Sequence, residues 1–254
     1  MTSLLPRLPE IFSAKGINAL LPGCCAVCGK WPAHGVCQSC YVTFKKTSHR
    51  CYVCAIELPS AELKICGHCL KRPFAFDETM AAVSYIAPWR ELVQKLKFYE
   101  GADNARLIAQ LLYLILDAHQ KLVEPADLIL PIPVTKQRMR ERGYNQSWEV
   151  AKHLSRLSGI TANPHILHHR LTITQTPISQ THRKRKERFR ALKDMFFVDE
   201  KDVKFLQGKH IVLLDDVMTT GATLHHAALA LKKVGVKKVS AWVFARTPEE
   251  RTKN

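Results

Sequence analysis

Residues 211 to 223 read IVLLDDVMTTGAT, setting an apolar run, two adjacent carboxylates, three hydroxyls and a glycine side by side. The apolar run reads as a buried strand, which places Asp215 and Asp216 at its end. The stretch Met218, Thr219, Thr220, Gly221, Ala222 and Thr223 reads as a turn into a helix N-terminus. Backbone N–H groups and threonine hydroxyls at such a turn form a cradle for a phosphate dianion, and Gly221 permits close backbone approach. Two carboxylates beside that cradle suit a sugar phosphate, because they accept hydrogen bonds from vicinal ribose hydroxyls. It is not a Walker loop: it lacks Gly-Lys-Thr/Ser, and the acids precede the turn.

A second chemistry stands at the front of the chain. All nine cysteines fall between residues 24 and 69, eight of them as Cys-x-x-Cys pairs: Cys25/Cys28, Cys37/Cys40, Cys51/Cys54 and Cys66/Cys69. Each pair presents two thiolates from one tight turn, and two such knuckles complete a tetrahedral zinc site. Four pairs in series predict two structural zinc ions. The simplest arrangement is sequential, the first four thiolates on one ion and the last four on the other; the spacing also permits a cross-braced pairing. Cys24 is then spare, and His34, His49 and His68 are bystanders. No βαβ pattern surrounds any pair, which argues against a thioredoxin-like redox role.

The elements that must position the acids alternate from about residue 77 onward. Strands are expected over 79–86, 127–133, 210–216 and 237–245. Helices are expected over 89–100, over 103–121 with Asp103 as N-cap, and over 145–157. Leu224, Ala227, Ala228, Leu231 and Val234 recur at helical spacing before Gly235. Such alternation predicts an α/β fold, a parallel sheet covered on both faces, with ligands bound beyond the C-terminal strand ends. The expected division is a cysteine region over 18–76 and an α/β domain over 77–254.

A net charge of +16 attracts polyanions: nucleic acid, phosphorylated metabolites or an anionic membrane face. The apolar stretch LIAQLLYLILDA is too short to span a bilayer and is interrupted by Gln110 and Asp117. No secretory leader is visible, so the expected compartment is the cytoplasm, where thiols stay reduced. One basic cluster, Lys136, Arg138, Arg140 and Arg142 followed by Gly143, comes directly after the second strand and is placed to supply cations to a pyrophosphate. The other runs over 181–193.

IVLLDDVMTTGAT resembles the signature of type I phosphoribosyltransferases, which bind phosphoribosyl pyrophosphate (PRPP) with magnesium. Serial cysteine knuckles, then LPIPVTKQRMRERGYNQS, then this loop, resemble the ComF family, linked to bacterial natural transformation, over about residues 18–246. The resemblance implies a type I phosphoribosyltransferase-like parallel sheet with helices on both faces, preceded by a small double zinc ribbon. It implies that Asp215 and Asp216 hold the ribose hydroxyls and that Met218 through Thr223 take the 5′-phosphate. It makes Arg138, Arg142 and Gly143 pyrophosphate candidates, with Gln175 and Arg188 in a hood that closes over PRPP and shields an oxocarbenium-like state from water. Where the family often carries an Asn and a Gly, this chain has Ala191 and Asp194, so no role passes to those positions.

Arg183, Lys184, Arg185, Lys186, Arg188 and Arg190 are nucleic-acid candidates, since such clusters neutralise phosphates without reading sequence. Tyr144, Trp148 and Phe189 beside the basic clusters, and Trp31, Tyr41 and Tyr52 in the ribbon, offer stacking surfaces for single strands. Two functions compete. One is a cytoplasmic adaptor for transformation that binds incoming single-stranded DNA and a helicase or recombination partner, keeping PRPP as a ligand. The other is an enzyme transferring phosphoribose from PRPP to an acceptor base. A PRPP-responsive transcriptional regulator is weaker, because no helix-turn-helix is visible.

Overall fold

The computed structural model describes residues 23–33, 35–44, 49–98, 101–119, 125–170 and 195–249. Gln175, Arg183, Lys184, Arg185, Lys186, Arg188 and Arg190 lie outside the described residues, as do His34, Phe189, Ala191 and Asp194. The chain divides into two units, Met1–Thr47 and Ser48–Asn254.

In the first unit an antiparallel bridge between Gly23 and Ala33 closes the first knuckle. Helix α1 (Gln38–Phe44) begins one residue after Cys37 and carries Cys40. The second unit opens on another knuckle, closed by a bridge between Arg50 and Glu57 and followed by α2 (Gly67–Lys71), which carries Cys69. Then come β1 (Glu78–Ser84), α3 (Trp89–Phe98), α4 (Gly101–His119), β2 (Leu128–Pro131), α5 (Lys136–Arg142) and α6 (Gln146–Ser158). They are followed by β3 (Leu167–His169), β4 (Phe196–Val198), α7 (Glu200–Leu206), β5 (His210–Met218), α8 (Ala222–Lys233) and β6 (Lys238–Arg246).

Four strands form one parallel sheet in the order β1-β6-β5-β2, and β3 with β4 makes a separate antiparallel pair. The chain lays down the two edges first and fills the centre last, so β5 is flanked on both sides. A central strand covered on both faces must be apolar where it is paired on both sides, and Ile211, Val212, Leu213 and Leu214 are fully buried. Ile211 and Leu213 share a core with Leu224, Ala227, Ala228 and Leu231 of α8. On the other face Trp89 of α3 meets Phe244 of β6 edge-on, and α4 and α6 pack alongside. Cys51, Cys54, Ala55, Ile56, Cys69 and Phe76 belong to the α8-side core, so the second knuckle and the sheet have one interior.

Two of the differences from the sequence expectation lie at element ends. Helix α4 starts at Gly101, which puts Asp103 in its first turn rather than at its cap; acids are favoured at either place by the positive end of the helix dipole. And β5 does not stop at the acids. Its pairing with β6 continues through Val217–Ala245 and Met218–Arg246, whereas its pairing with β2 ends at Leu214. The carboxylates therefore lie within a strand paired on one side only.

Candidate functional site

Beyond Leu214 the β2 side of β5 is bordered by loop and helix starts. The amide of Ile132 donates to Leu214 O (2.9 Å), and the chain then turns into α5. Thr135 caps α5, accepting from the Arg138 amide. At its other end Gly143 takes φ +79°, a left-handed position that suits glycine. Asn145 then caps α6: its Oδ1 accepts from the amides of Ser147 and Trp148, and its Nδ2 donates to Ile132 O. That tie fixes the start of α6 against the end of β2. It brings Ser147 Oγ 3.1 Å from Asp215 Oδ1, to which it donates.

The two acids have different partners, although their carboxyls interact with each other. Asp216 is buried, and its Oδ2 lies 3.1 Å from Lys97 Nζ, an ion pair without hydrogen-bond geometry. Lys97 is held near the end of α3, where the Tyr144 hydroxyl donates to Leu96 O. The short turn 143–147 thus anchors partners of both carboxylates. Burial, reinforced by the neighbouring Asp216 carboxylate, pushes Asp215 up to about 8. Close carboxylates resist double ionisation, and Asp216 has the Lys97 ammonium beside it.

The turn after β5 enters α8 through a left-handed glycine. Gly221 adopts φ +79° and caps α8. A Cβ there would lie 2.6 Å from Met218 Cε and 3.0 Å from a Phe74 ring carbon. Thr220 Oγ1 accepts from the Ala222 amide, and Gly221 O accepts from the His225 amide. Gly221→Ala is expected to cost about 1–3 kcal/mol through left-handed strain and overpacking. The measurement is a thermal melt; an unchanged Tm would mean that the turn is not held as described.

Among the pyrophosphate candidates, Arg138 is exposed on α5, and Arg142 is partly buried with Nη1 lacking a hydrogen-bond partner among the described residues. Gln146 Oε1, buried in the first turn of α6, lacks one too. Buried polar atoms seldom stay unpaired. Three residues of the site were not singled out by sequence: Lys97, Ser147 and Arg246. The buried Arg246 guanidinium donates from Nη1 to the carbonyls of Met218, Thr219 and Thr247, and from Nε to Cys54 O (2.8 Å). An arginine closing the apolar strand KVSAWVFAR was the available signal.

The cysteines form two tetrads, Cys25/Cys28/Cys37/Cys40 and Cys51/Cys54/Cys66/Cys69, with all four sulfurs of each within 4.8 Å of one another. The pairing is sequential, one tetrad in each unit. Tetrahedral zinc with Zn–S near 2.3 Å places sulfurs about 3.8 Å apart. Cys28 and Cys37 are 3.8 Å apart, and Cys54 and Cys66 are 3.6 Å apart. Burial opposes charge on Cys25, but amide donors led by Cys37 outweigh it and bring the thiol to about 6. Cys51 is lowered in the same way, burial being outweighed by the amides of Cys54, Cys66 and Val53. The donor set fits a thiophilic ion in both places. His68 stacks on Phe74 and belongs to neither tetrad.

Parallel sheet, one-sided acid pair and glycine turn define a phosphoribosyltransferase-like domain. Residues 163–254 match the phosphoribosyl transferase domain family. The chain is 33% identical to competence protein F of Haemophilus influenzae over 218 residues, covering 84% of this chain and 91% of that protein. It is 30% identical to the DNA utilization protein YhgH of Escherichia coli K12 over 236 residues, covering 89% and 98%. Competence protein ComFC of Bacillus subtilis is 30% identical over 225 residues, covering 85% and 86%. The chain belongs to the ComF family. No helix among the described residues is long and apolar enough to cross a membrane.

Proposed function

We propose that this protein binds PRPP with magnesium and acts in DNA uptake, contacting incoming single-stranded DNA in the cytoplasm. The observation that carries the sugar-phosphate reading is the acid pair on a one-sided strand directly before a left-handed glycine turn. In this reading Asp215 and Asp216 accept from the ribose hydroxyls. The Met218–Thr223 turn and the start of α8 take the 5′-phosphate, through amides and threonine hydroxyls. Arg138, Arg142 and Gly143 border the pyrophosphate, with Gln175 and Arg188 contributed by the hood. Magnesium, bound with PRPP, supplies charge neutralisation at the pyrophosphate, and the tetrads hold structural zinc. Phosphoribosyl transfer to an acceptor base would need the same residues, so ligand affinity alone does not separate a binding protein from an enzyme.

The DNA reading rests on the names of three relatives, a charge of +16, and exposed cations and aromatic rings. Lys136, Arg138 and Arg140 are exposed on α5, and Trp31 and Tyr52 are more than half exposed. Arg183, Lys184, Arg185, Lys186, Arg188 and Arg190 add charge in the same reading, and a helicase or recombination protein is the partner class. The test is calorimetric titration with PRPP–magnesium, paired with single-stranded oligonucleotide binding between 50 and 200 mM salt. Neutralising about six phosphates would lower single-stranded DNA affinity roughly 300-fold across that range. A flat salt response would remove the DNA contact, and absent PRPP binding would remove the sugar-phosphate reading.

A further inference from the structure

We propose that the second cysteine tetrad is a structural part of the phosphate turn, coupled to it through Arg246 and Phe74, so that metal occupancy and sugar-phosphate binding are thermodynamically linked. The inference rests on the sugar-phosphate reading for its ligand and on the described contacts for its mechanism.

Arg246 stands between the two. Its Nε donates to the carbonyl of Cys54, itself a member of the tetrad, while Nη1 donates to Met218 O (3.1 Å) and Thr219 O (2.5 Å). A trans peptide sets each carbonyl opposite the N–H of the next residue. Drawing the Met218 and Thr219 carbonyls toward Arg246 therefore turns the Thr219 and Thr220 amides the other way. Those amides belong to the turn assigned to the phosphate. The Thr247 amide donates to Met218 O at 3.0 Å and reinforces the same orientation. A buried arginine held by backbone carbonyls is thus a positioning residue.

Phe74, five residues after Cys69, makes the second link. Its ring carbons lie within 3.1 Å of where a Gly221 Cβ would sit, and the ring stacks on Phe76 at 4.7 Å. The next amide, Ala75 N, donates to His225 Nδ1 in the first turns of α8 (3.0 Å). Phe74 also stacks on His68, next to Cys69 in α2. The knuckle therefore grips the turn twice, through a hydrogen-bonded guanidinium and a stacked ring. A ligand that orders the turn must then stabilise the knuckle by the same factor that the knuckle stabilises the ligand.

The test uses the full zinc-loaded chain and Arg246→Lys, which keeps the charge but cannot span both sets of carbonyls. Hydrogen exchange is read on peptides covering 217–224, with the β2 segment 128–131 as internal control. PRPP–magnesium affinity is measured by calorimetry, and zinc release to a chromogenic chelator with and without PRPP–magnesium. In Arg246→Lys, exchange over 217–224 should rise at least tenfold with 128–131 unchanged, and PRPP affinity should fall at least tenfold. In the unsubstituted protein PRPP should slow release of one of two zinc ions at least tenfold, and Arg246→Lys should abolish that protection.

Equal PRPP affinity in both proteins, or zinc release indifferent to PRPP, overturns the coupling and leaves the sugar-phosphate reading standing. If the unsubstituted protein binds no PRPP, that reading falls, and unchanged 217–224 exchange in Arg246→Lys overturns the coupling independently. Should Arg246→Lys not accumulate folded, Phe74→Leu removes the ring contacts with the guanidinium intact and is read in the same assays against the same outcomes.

Discussion

Asp215→Asn is expected to weaken PRPP–magnesium binding by about 10- to 100-fold while raising Tm at pH 8. A hydrogen bond involving a charged partner is worth about 1.5–3 kcal/mol, and the amide retains an acceptor without the charge. The stability gain comes from Asp215, half-buried beside the buried Asp216. Asp215 sits at about 8, raised by burial and then by Asp216, against an ordinary unfolded value of about 3.9. Between those values the folded protein holds a proton that the unfolded chain has lost. The stabilisation of the neutral carboxyl is thus complete below about pH 4 and is lost as pH rises through about 8. Asparagine has no such loss, so its advantage should grow with pH to on the order of 1–3 kcal/mol, or roughly 2–10 °C in Tm. Melts of both proteins from pH 4 to 9 read this directly; parallel curves would mean that Asp215 is ionised throughout.

The same acid makes binding pH-dependent. If Asp215 accepts from a ribose hydroxyl, it must release its proton on binding at neutral pH. Affinity should rise about tenfold per pH unit below the raised value and level above it. Calorimetry in two buffers of different ionisation enthalpy counts the released proton, and zero release would show that the carboxyl stays neutral in the complex. Asp216→Asn should behave differently. It leaves Lys97 without the carboxylate 3.1 Å away, so this variant should lose affinity without the gain in Tm.

What was legible in the sequence follows the range of the interactions. The periodic elements appear with small shifts of their ends because period and capping are local: Asn145 before α6, and the apolar run of β5. The turn after β5 was legible because its acids, threonines and glycine are contiguous. The partners of the acids were not. Ser147 reaches Asp215 across 68 residues and Arg246 reaches Cys54 across 192, distances at which no pattern announces contact. The antiparallel pair β3 and β4 has three residues per strand, too few to show a period of two. The tetrad pairing needed the fold to choose between two arrangements that spacing allowed.

Cys69→Ser should cost far more than Cys28→Ser, although each removes one thiolate from a similar tetrad. Structural zinc contributes about 10–16 kcal/mol of apparent folding energy in finger peptides, comparable with a whole domain's stability of about 5–15 kcal/mol. Where that energy is felt depends on what shares a core with the knuckle. Cys69 is buried in the cluster that includes Phe76, Leu224, Ala228 and Val243. Cys28 is exposed in the unit that ends at Thr47, whereas the sheet belongs to the other unit. Cys69→Ser is therefore expected to drop from two zinc ions per chain to one and to lose the cooperative melt of the sheet. Cys28→Ser should lose the other ion while the main transition stays within a few degrees. Metal analysis beside calorimetric melting distinguishes them. A Cys69→Ser protein with one zinc and an undisturbed main transition would show that the second knuckle sits on the sheet without holding it together, and the shared interior would then be packing alone.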